Sequence, residues 1–362
     1  MNDLEKLLDY PHGDTLPEPG TTLEVAPGVR WLRMRLPFQL DHINLWLLRD
    51  EIETDDGPVA GWTIVDCGID NPPTRAAWEQ IFANELGGLP VLRVIVTHMH
   101  PDHMGLAHWL TERWAQGRRE CRLWISALDY HVALLATTSR TGFGGDATAR
   151  FFASHGLADA DWLEQIRGRT NYYIGMVPKV PAHYRRLADG EALRIGGRDW
   201  RCLVGHGHAP EHMSLHCAET RTLISGDMVL PRISTNVSVH ETEPESNPLT
   251  QYLESIQRTQ AAVAADTLVL PSHGRPFRGL HTRIEQLIAH HDERLAEVVA
   301  ACGEAPQSAA DLLMVIFKRK LDLHQTTFAM GESLAHLHTL WVRGVLARRL
   351  GDDGVYRFAL RR

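Results

Sequence analysis

The densest grouping of metal-binding side chains in the chain is Val96-Thr97-His98-Met99-His100-Pro101-Asp102-His103. Four donors fall within six residues at the end of an apolar run, Leu92–His98, that reads as a buried strand. His98 and His100 share one face of an extended chain, whereas Asp102 and His103 sit on the turn beyond it and can face a second position. Imidazole and carboxylate bind divalent cations: two imidazoles with a further His suit one ion, and a carboxylate with two imidazoles suits another. Chance clustering among 21 histidines is the competing reading. It leaves unexplained three further donors at the ends of later apolar runs: His208 in Gly205-His206-Gly207-His208-Ala209-Pro210-Glu211-His212, Asp227 in Ser225-Gly226-Asp227, and His273 in Leu270-Pro271-Ser272-His273-Gly274.

The elements that must position these donors are legible as alternating and apolar runs. Thr22–Phe38 reads as two short strands broken at Pro27-Gly28, followed by strands at Ile43–Asp50, Trp62–Gly68 and Leu92–His98, with a helix over Pro73–Leu86. Residues 1–20 read as a loose N-terminal arm with a helical turn at Asp3–Leu8. From about 126 to 187 the chain lacks strand character and carries Tyr130, Phe143, Phe151, Phe152, Trp162, Tyr172, Tyr173 and Tyr184 beside Gly142-Phe143-Gly144-Gly145. Two readings stand open there: a helical insertion with its own small core, or an aromatic lid hinged on the glycines. Strands resume at LRIGG, DWRCLVG, HMSLHCAE, Thr222–Leu230 and Asp266–Gly274, before a helix from His281 to Cys302 and a linker at Gly303–Ser308. Residues 309–362 read as three helices and a strand pair about Asp352-Asp353-Gly354.

Composition sets the outer bounds. The 362 residues are 44% hydrophobic and 23% charged, ordinary for a globular chain, and 37 Lys+Arg against 45 Asp+Glu leave a net charge of −8. No polybasic character points to nucleic acid or an anionic membrane, and no apolar run is long enough to span a bilayer. The acidic N-terminus does not read as a secretory signal, so a cytoplasmic location is expected. Cys67, Cys121, Cys202, Cys217 and Cys302 are odd in number and widely spaced, and read as free thiols, most of them in the core.

With these motifs in place, the chain resembles the metallo-beta-lactamase superfamily, and glyoxalase II is the hydrolase pattern most like it. The HxHxDH signature stands as His98, His100, Asp102 and His103, and the later donors follow in the family's order, over a stretch from about Thr22 to His291. The resemblance implies an α/β fold: a four-layer αββα metallo-beta-lactamase sandwich over residues 21–302. It implies that His98, His100 and His208 hold one metal, that Asp102, His103 and His273 hold a second, and that Asp227 bridges them. His206 competes with His208 on strand periodicity, and the family's G-H-x-x-x-H spacing, met by Gly207-His208 and His212, favours His208. His206 and His212 then stand behind the ligands or in the pocket. Asp66, in Asp66-Cys67-Gly68, matches the family's DTG-like turn and is expected to fix a ligand imidazole. Two Zn2+ per chain are expected, with Mn2+ or Fe2+ as alternatives. Asp102 and Asp227 would be the catalytic carboxylates about a bridging hydroxide that attacks a carbonyl. His100, where the diiron oxygen reductases have Glu, and Asp227, where some beta-lactamases have Cys, both favour a dinuclear hydrolase.

Substrate-facing candidates are Arg232 and Asn236, just past the Asp227 turn, and Arg275, two residues past His273; the arginines would pair with a carboxylate or phosphate. Residues 307–362 carry nine Lys/Arg against five Asp/Glu, a net of +4, and an apolar helical stripe at Leu334, Leu337, Trp341 and Val345. They look like a winged-helix domain, as some lactamase-like hydrolases carry. Its role is expected to be packing on the catalytic body or making a homodimer, rather than touching RNA through Arg348, Arg349 and Arg357. The expected function is thus a binuclear hydrolase of a small-molecule acyl substrate, a thioester, ester or lactone. The alternatives are an endoribonuclease or phosphodiesterase at the same site and, less favoured, a mononuclear-iron sulfur dioxygenase.

Overall fold

In the computed structural model, which describes residues 3–55, 57–115, 120–138 and 144–361, the strand-forming runs assemble into two main sheets. The Pro27-Gly28 break is a tight turn between β1 (Leu23–Ala26) and β2 (Val29–Arg35), with Gly28 at φ +74, where a side chain would be strained. β3 (His42–Thr54) and β4 (Gly57–Val65) extend the antiparallel half. The chain crosses through α1 (Pro72–Asn84), capped by the Asn71 side chain, to β5 (Val91–Ile95), which runs parallel to β4. α2 (Pro101–Met104) and α3 (Ala107–Trp114) lead to β6 (Arg122–Ser126). α4 (Ala127–Thr138), α5 (Gly145–Ala153) and α6 (Ala160–Gly168) precede β7 (Tyr184–Leu187), so this seven-stranded sheet keeps chain order.

The second sheet takes β8 (Ala192–Ile195), β9 (Arg198–Gly205), β10 (His212–Cys217), β11 (Thr222–Gly226) and, after α7 (Pro248–Ala262), β12 (Leu268–Pro271), in the order β12-β11-β10-β9-β8. α8 (Leu280–Glu304), α9 (Leu313–Phe317), α10 (Leu323–Val342) and the hairpin β13 (Leu346–Leu350) with β14 (Tyr356–Leu360) complete the chain.

Burial on both faces of the strands produces the layers. Along β3, Ile43, Leu45 and Leu47 face a helical layer with Trp78, Ile81 and Leu110, while Trp46 and Leu48 face the other sheet. Between the sheets, Trp31, Trp46, Val65 and Ile95 meet Trp200, Met213, Leu215 and Leu270. The outer face of the second sheet packs under α7, α8 and α10 through Leu223, Val269, Tyr252, Ile284 and Leu334. The result is the four-layer αββα sandwich with a C-terminal unit on one outer layer.

Several sequence expectations need correction. The N-terminal arm is not loose: Leu8 is buried, Asp9 bridges to Arg278, and Gln286 donates to the Leu4 carbonyl. Among the described residues, the aromatic stretch has no core of its own. Phe151, Phe152 and Ile166 join the core under α7, α8 and α10, whereas Tyr130, Tyr173 and Val177 join the core under the first sheet. Tyr184 lies in a strand and stacks on Tyr130 at 3.8 Å. Gly142 and Phe143, part of the proposed hinge, lie outside the described residues, as does Arg362 of the basic count.

Beyond Ala309 the described residues form two helices, not three, because residues 310–312 form a turn. α10 is buried all round from Ala329 to Leu340 rather than along one stripe, and Val345 is exposed. All five cysteines are free and buried. Among the described residues no helix is long and apolar enough to cross a membrane.

Candidate metal centre

Strand ends bring the donors together. The Val96 N–H still bonds the Trp124 carbonyl beside β5, and Met213 on β10 donates to the Thr97 carbonyl at 2.7 Å, so the histidine-rich loop is pinned between the two sheets. Pro101 then starts α2, which carries Asp102 and His103. His208 sits in the β9–β10 loop, Asp227 directly follows β11, and His273 follows β12.

Two groups of donors result: His98, His100, His208 and Asp227, and beside them Asp102, His103 and His273. In the first, His98 Nε2 lies 2.9 Å from His100 Nδ1, and His208 Nε2 is 3.1 Å from each. Asp227 Oδ2 is 3.3 Å from His208 Nε2 and 3.6 Å from His103 Nε2, and its Oδ1 is 3.4 Å from His273 Nε2. Asp102 Oδ2 is 3.5 Å from His273 Nε2 and 3.8 Å from His103 Nε2. The Asp227 carboxylate therefore stands between the groups.

The imidazoles are oriented from behind. Nδ1 of His208 donates to the Asn236 carbonyl at 2.7 Å, that of His273 to the His42 carbonyl at 2.8 Å, and that of His103 to the Asp66 carboxylate at 2.8 Å. A partner that only accepts fixes the proton on Nδ1 and leaves the Nε2 lone pair facing the cluster. Asp66, at φ +64, also accepts the Thr97 N–H, so one strained residue holds both the histidine-rich loop and one of its rings. His212 lies behind Asp227, whose backbone N–H it accepts at 3.0 Å. Its ring fills the space where a Cβ on Gly226 would sit, 2.2 Å from Nε2.

The electrostatics suit cations. Burial first, then the neighbouring rings, push His98 and His100 well below the usual imidazole range. Burial would raise Asp227, but His273 and His103 hold it well below the carboxylate range. His103 is raised despite burial because Asp66, Asp102 and Asp227 surround it, and His273 is raised by Asp227 and Asp102. Carboxylates that hold a proton there can hold a divalent cation in its place. His103 Nε2 and Asp227 Oδ1 are buried without a hydrogen-bond partner, a cost of about 1–3 kcal/mol each that a cation between them removes. The donor set therefore fits metal ions.

Two supports escaped the sequence reading. Asp129, fully buried in the first turn of α4, accepts the backbone N–H groups of Met99 at 2.9 Å and Glu211 at 2.7 Å, tying together the loops that carry His100 and His208; burial lifts its carboxyl to about 6. Asn44 donates to the carbonyls of Pro271 and Gly274 on either side of His273. The Ser126-x-x-Asp129 spacing after a strand was a local signal for the first, and nothing local marked the second.

The other candidates divide. Asn236 lines a cleft above His100 and His208. Arg232 is exposed outside that cleft. Arg275 is taken by the N-terminal arm: it pairs with Asp14, donates to the Gly13 carbonyl at 2.8 Å and covers Tyr10. His206 turns its ring onto the Pro210 carbonyl at 2.7 Å, because strand periodicity ends with β9 at Gly205, and so braces the loop of His208 rather than meeting the cluster. In the C-terminal unit Arg348 pairs with Glu245 and covers Trp341, and Arg357 forms a two-point pair with Asp353.

Two distant segments supply further cleft walls, Phe152, Ile166, Arg169 and Tyr172 from the aromatic stretch and His324 and Phe328 from α10, while Ser238 and His240 line it beside Asn236.

Residues 40–273 match the family model of the metallo-beta-lactamase superfamily, and residues 295–361 match that of the metallo-beta-lactamase-like C-terminal domain. The crystal structure of a beta-lactamase domain protein from Burkholderia ambifaria is 58% identical and superposes with a TM-score of 0.92, covering 99% of this chain and 100% of that one. A probable metallo-hydrolase of Bacillus subtilis, YqjP, is 22% identical over 341 residues, 91% of this chain and 98% of its own length. The atrochrysone carboxyl ACP thioesterase AgnL7 of Paecilomyces divaricatus is 23% identical over 189 residues; the match spans 52% of this chain and 56% of that protein.

Proposed function

The chain belongs to the metallo-beta-lactamase superfamily and is one of its metal-dependent hydrolases, and from that premise we propose that it works with two divalent cations on a small acyl substrate, a thioester, ester or lactone. His98, His100 and His208 would hold one ion, Asp102, His103 and His273 the other, and Asp227 both. The observation that carries this reading is the carboxylate of Asp227, with Oδ2 at 3.3 Å from His208 Nε2 and Oδ1 at 3.4 Å from His273 Nε2. Imidazole and carboxylate donors accept zinc, manganese or iron, and zinc is the ion placed first here.

Bound at these donors, divalent cations supply a nucleophile from water near neutral pH and polarise the carbonyl under attack. The protein's own part is positional. Asp102 and Asp227, the proposed catalytic carboxylates, set where the two donor groups stand relative to each other. Asp66, the His42 carbonyl and the Asn236 carbonyl hold ligand rings in one tautomer, so no reorganisation accompanies the reaction. His100 and His208 form the cleft floor, where the scissile carbonyl would lie, and Phe152, Tyr172 and Phe328 would keep water from the acyl chain. The thioesterase named above acts, by its name, on an acyl carrier thioester, which supports placing thioesters first.

The test is turnover of p-nitrophenyl esters, acyl thioesters, lactones and bis-p-nitrophenyl phosphate by the metal-loaded protein. Hydrolysis of acyl compounds, abolished by a chelator and restored by zinc, is the expected result. Turnover of the phosphodiester alone would contradict it.

A further inference from the structure

The cleft above the metal ligands holds a cation that the fold leaves unused. Arg169 follows α6 and lines the cleft. Two arginines of the same stretch, Arg150 and Arg167, both pair with Asp146, and Arg167 also pairs with Glu164. Arg169 has no such partner among the described residues; its guanidinium stands only over the Tyr172 ring, 5.8 Å from the centroid. Across the cleft, in the first turn of α10, His324 stacks on Phe38 at 5.7 Å and meets Phe328 edge-on at 5.1 Å. These rings fix the imidazole, which makes no hydrogen bond among the described residues. Arg169 is close enough to His324 to lower its basicity, after burial, so the ring is a neutral N–H donor. Asp322, the carboxylate facing His324, is already spent in capping α10 through the Gln325 N–H at 2.8 Å.

A half-buried guanidinium and a donor imidazole face one cleft whose lining is mixed, apolar at Phe152, Ile166 and Phe328 and polar at Thr148, Asn236, Ser238 and His240. Such a setting strengthens charge-assisted bonds and suits an anion rather than a neutral group. We propose that Arg169, with His324 opposite, is the anchor for an anionic group of the substrate, a carboxylate or a phosphate, and so sets which acyl compounds the enzyme prefers. This rests on the acyl-hydrolase reading and sharpens it: the substrate is a charged acyl compound, its acyl chain lying along the aromatic wall.

Three thioesters separate the sources of charge: butanoyl-N-acetylcysteamine is neutral, butanoyl-coenzyme A carries phosphates on the leaving group, and glutaryl-N-acetylcysteamine carries a carboxylate on the acyl group. The readout is the ratio of kcat/KM for each charged thioester over the neutral one, in wild type, Arg169→Ala and His324→Gln. For at least one charged thioester the wild-type ratio should be about 10 to 100 and should fall towards 1 in Arg169→Ala, mainly through KM. The thioester that shows the ratio tells phosphate from carboxylate. A ratio near 1 in wild type, or one unchanged in Arg169→Ala, overturns the proposal.

If no thioester is turned over, the acyl-hydrolase reading fails separately. Calorimetric binding of coenzyme A and glutarate then decides the anchor. Binding by wild type lost in Arg169→Ala upholds it, and no binding by wild type, or equal binding by both, overturns it.

Discussion

Three of the histidines that would hold metal ions, His103, His208 and His273, are themselves held by acceptors that cannot donate. Asp66 shows what this requires: a non-glycine residue at φ +64, buried, with its carboxylate shared between the Thr97 N–H and His103 Nδ1. An amide in its place offers one acceptor oxygen for the two donors and can present an N–H towards the ring. Asp66→Asn should therefore weaken metal affinity about 10- to 100-fold, measured by competition with a chromophoric chelator. Unchanged affinity would show that His103 is oriented by something else. At this scale the sequence was most legible, because the donors stand at strand ends in contiguous runs and chemistry restricts them to few residue types. It misled at Arg275, whose partner is the N-terminal arm, and it left His206 open between pocket and support, which a local carbonyl decides. Neither partner has a signature in spacing.

The elements matter through what they bring to the cluster from a distance. Asp129 on α4 binds two ligand loops, and α10 braces a third region. The Val239 N–H donates to the Gly331 carbonyl, and Asn236, whose carbonyl holds His208, has its side-chain amide 3.5 Å from Glu332. Glu332 is an acid buried in that contact, and burial lifts its carboxyl from 4.5 to about 7. With the folded value above the unfolded one, the folded state binds the extra proton between these pH values, so stability falls as pH rises from about 4.5 through about 7. The loss amounts to roughly 3 kcal/mol. Glu332→Gln should remove this slope and raise stability at pH 8, read from denaturant unfolding at pH 5, 6, 7 and 8. A slope identical to wild type would contradict the assignment. Most strands were readable from their apolar runs, but β7 was not: its four residues carry two arginines and no alternation, and it forms because β6 offers an open parallel edge.

At the scale of the whole molecule, the segment after α8 shares one core with the catalytic layers rather than packing as a separate body. Met330, Leu334 and Leu337 of α10 belong to the same cluster as Tyr252, Ile256 and Ile284 of α7 and α8. Calorimetry should show a single unfolding transition, and Leu334→Ala, at a fully buried site, should lower it as a whole by about 2–5 kcal/mol. An earlier, separate transition that alone responds to the substitution would contradict a shared core. The part of α10 in the cleft could not be read from the sequence, since the rings against His324 are those of Phe38 and Tyr172, far earlier in the chain.

Asp227 is proposed to tie two metal positions into one hydrolytic centre, and the metal content of the protein reads this without an assay of turnover. Protein purified without added metal, wild type and Asp227→Ala, should be measured by mass spectrometry for metal per chain. About two zinc ions are expected in the wild type and fewer in the variant, with acyl hydrolysis lost in parallel. One iron per chain, unchanged by the substitution, would contradict it.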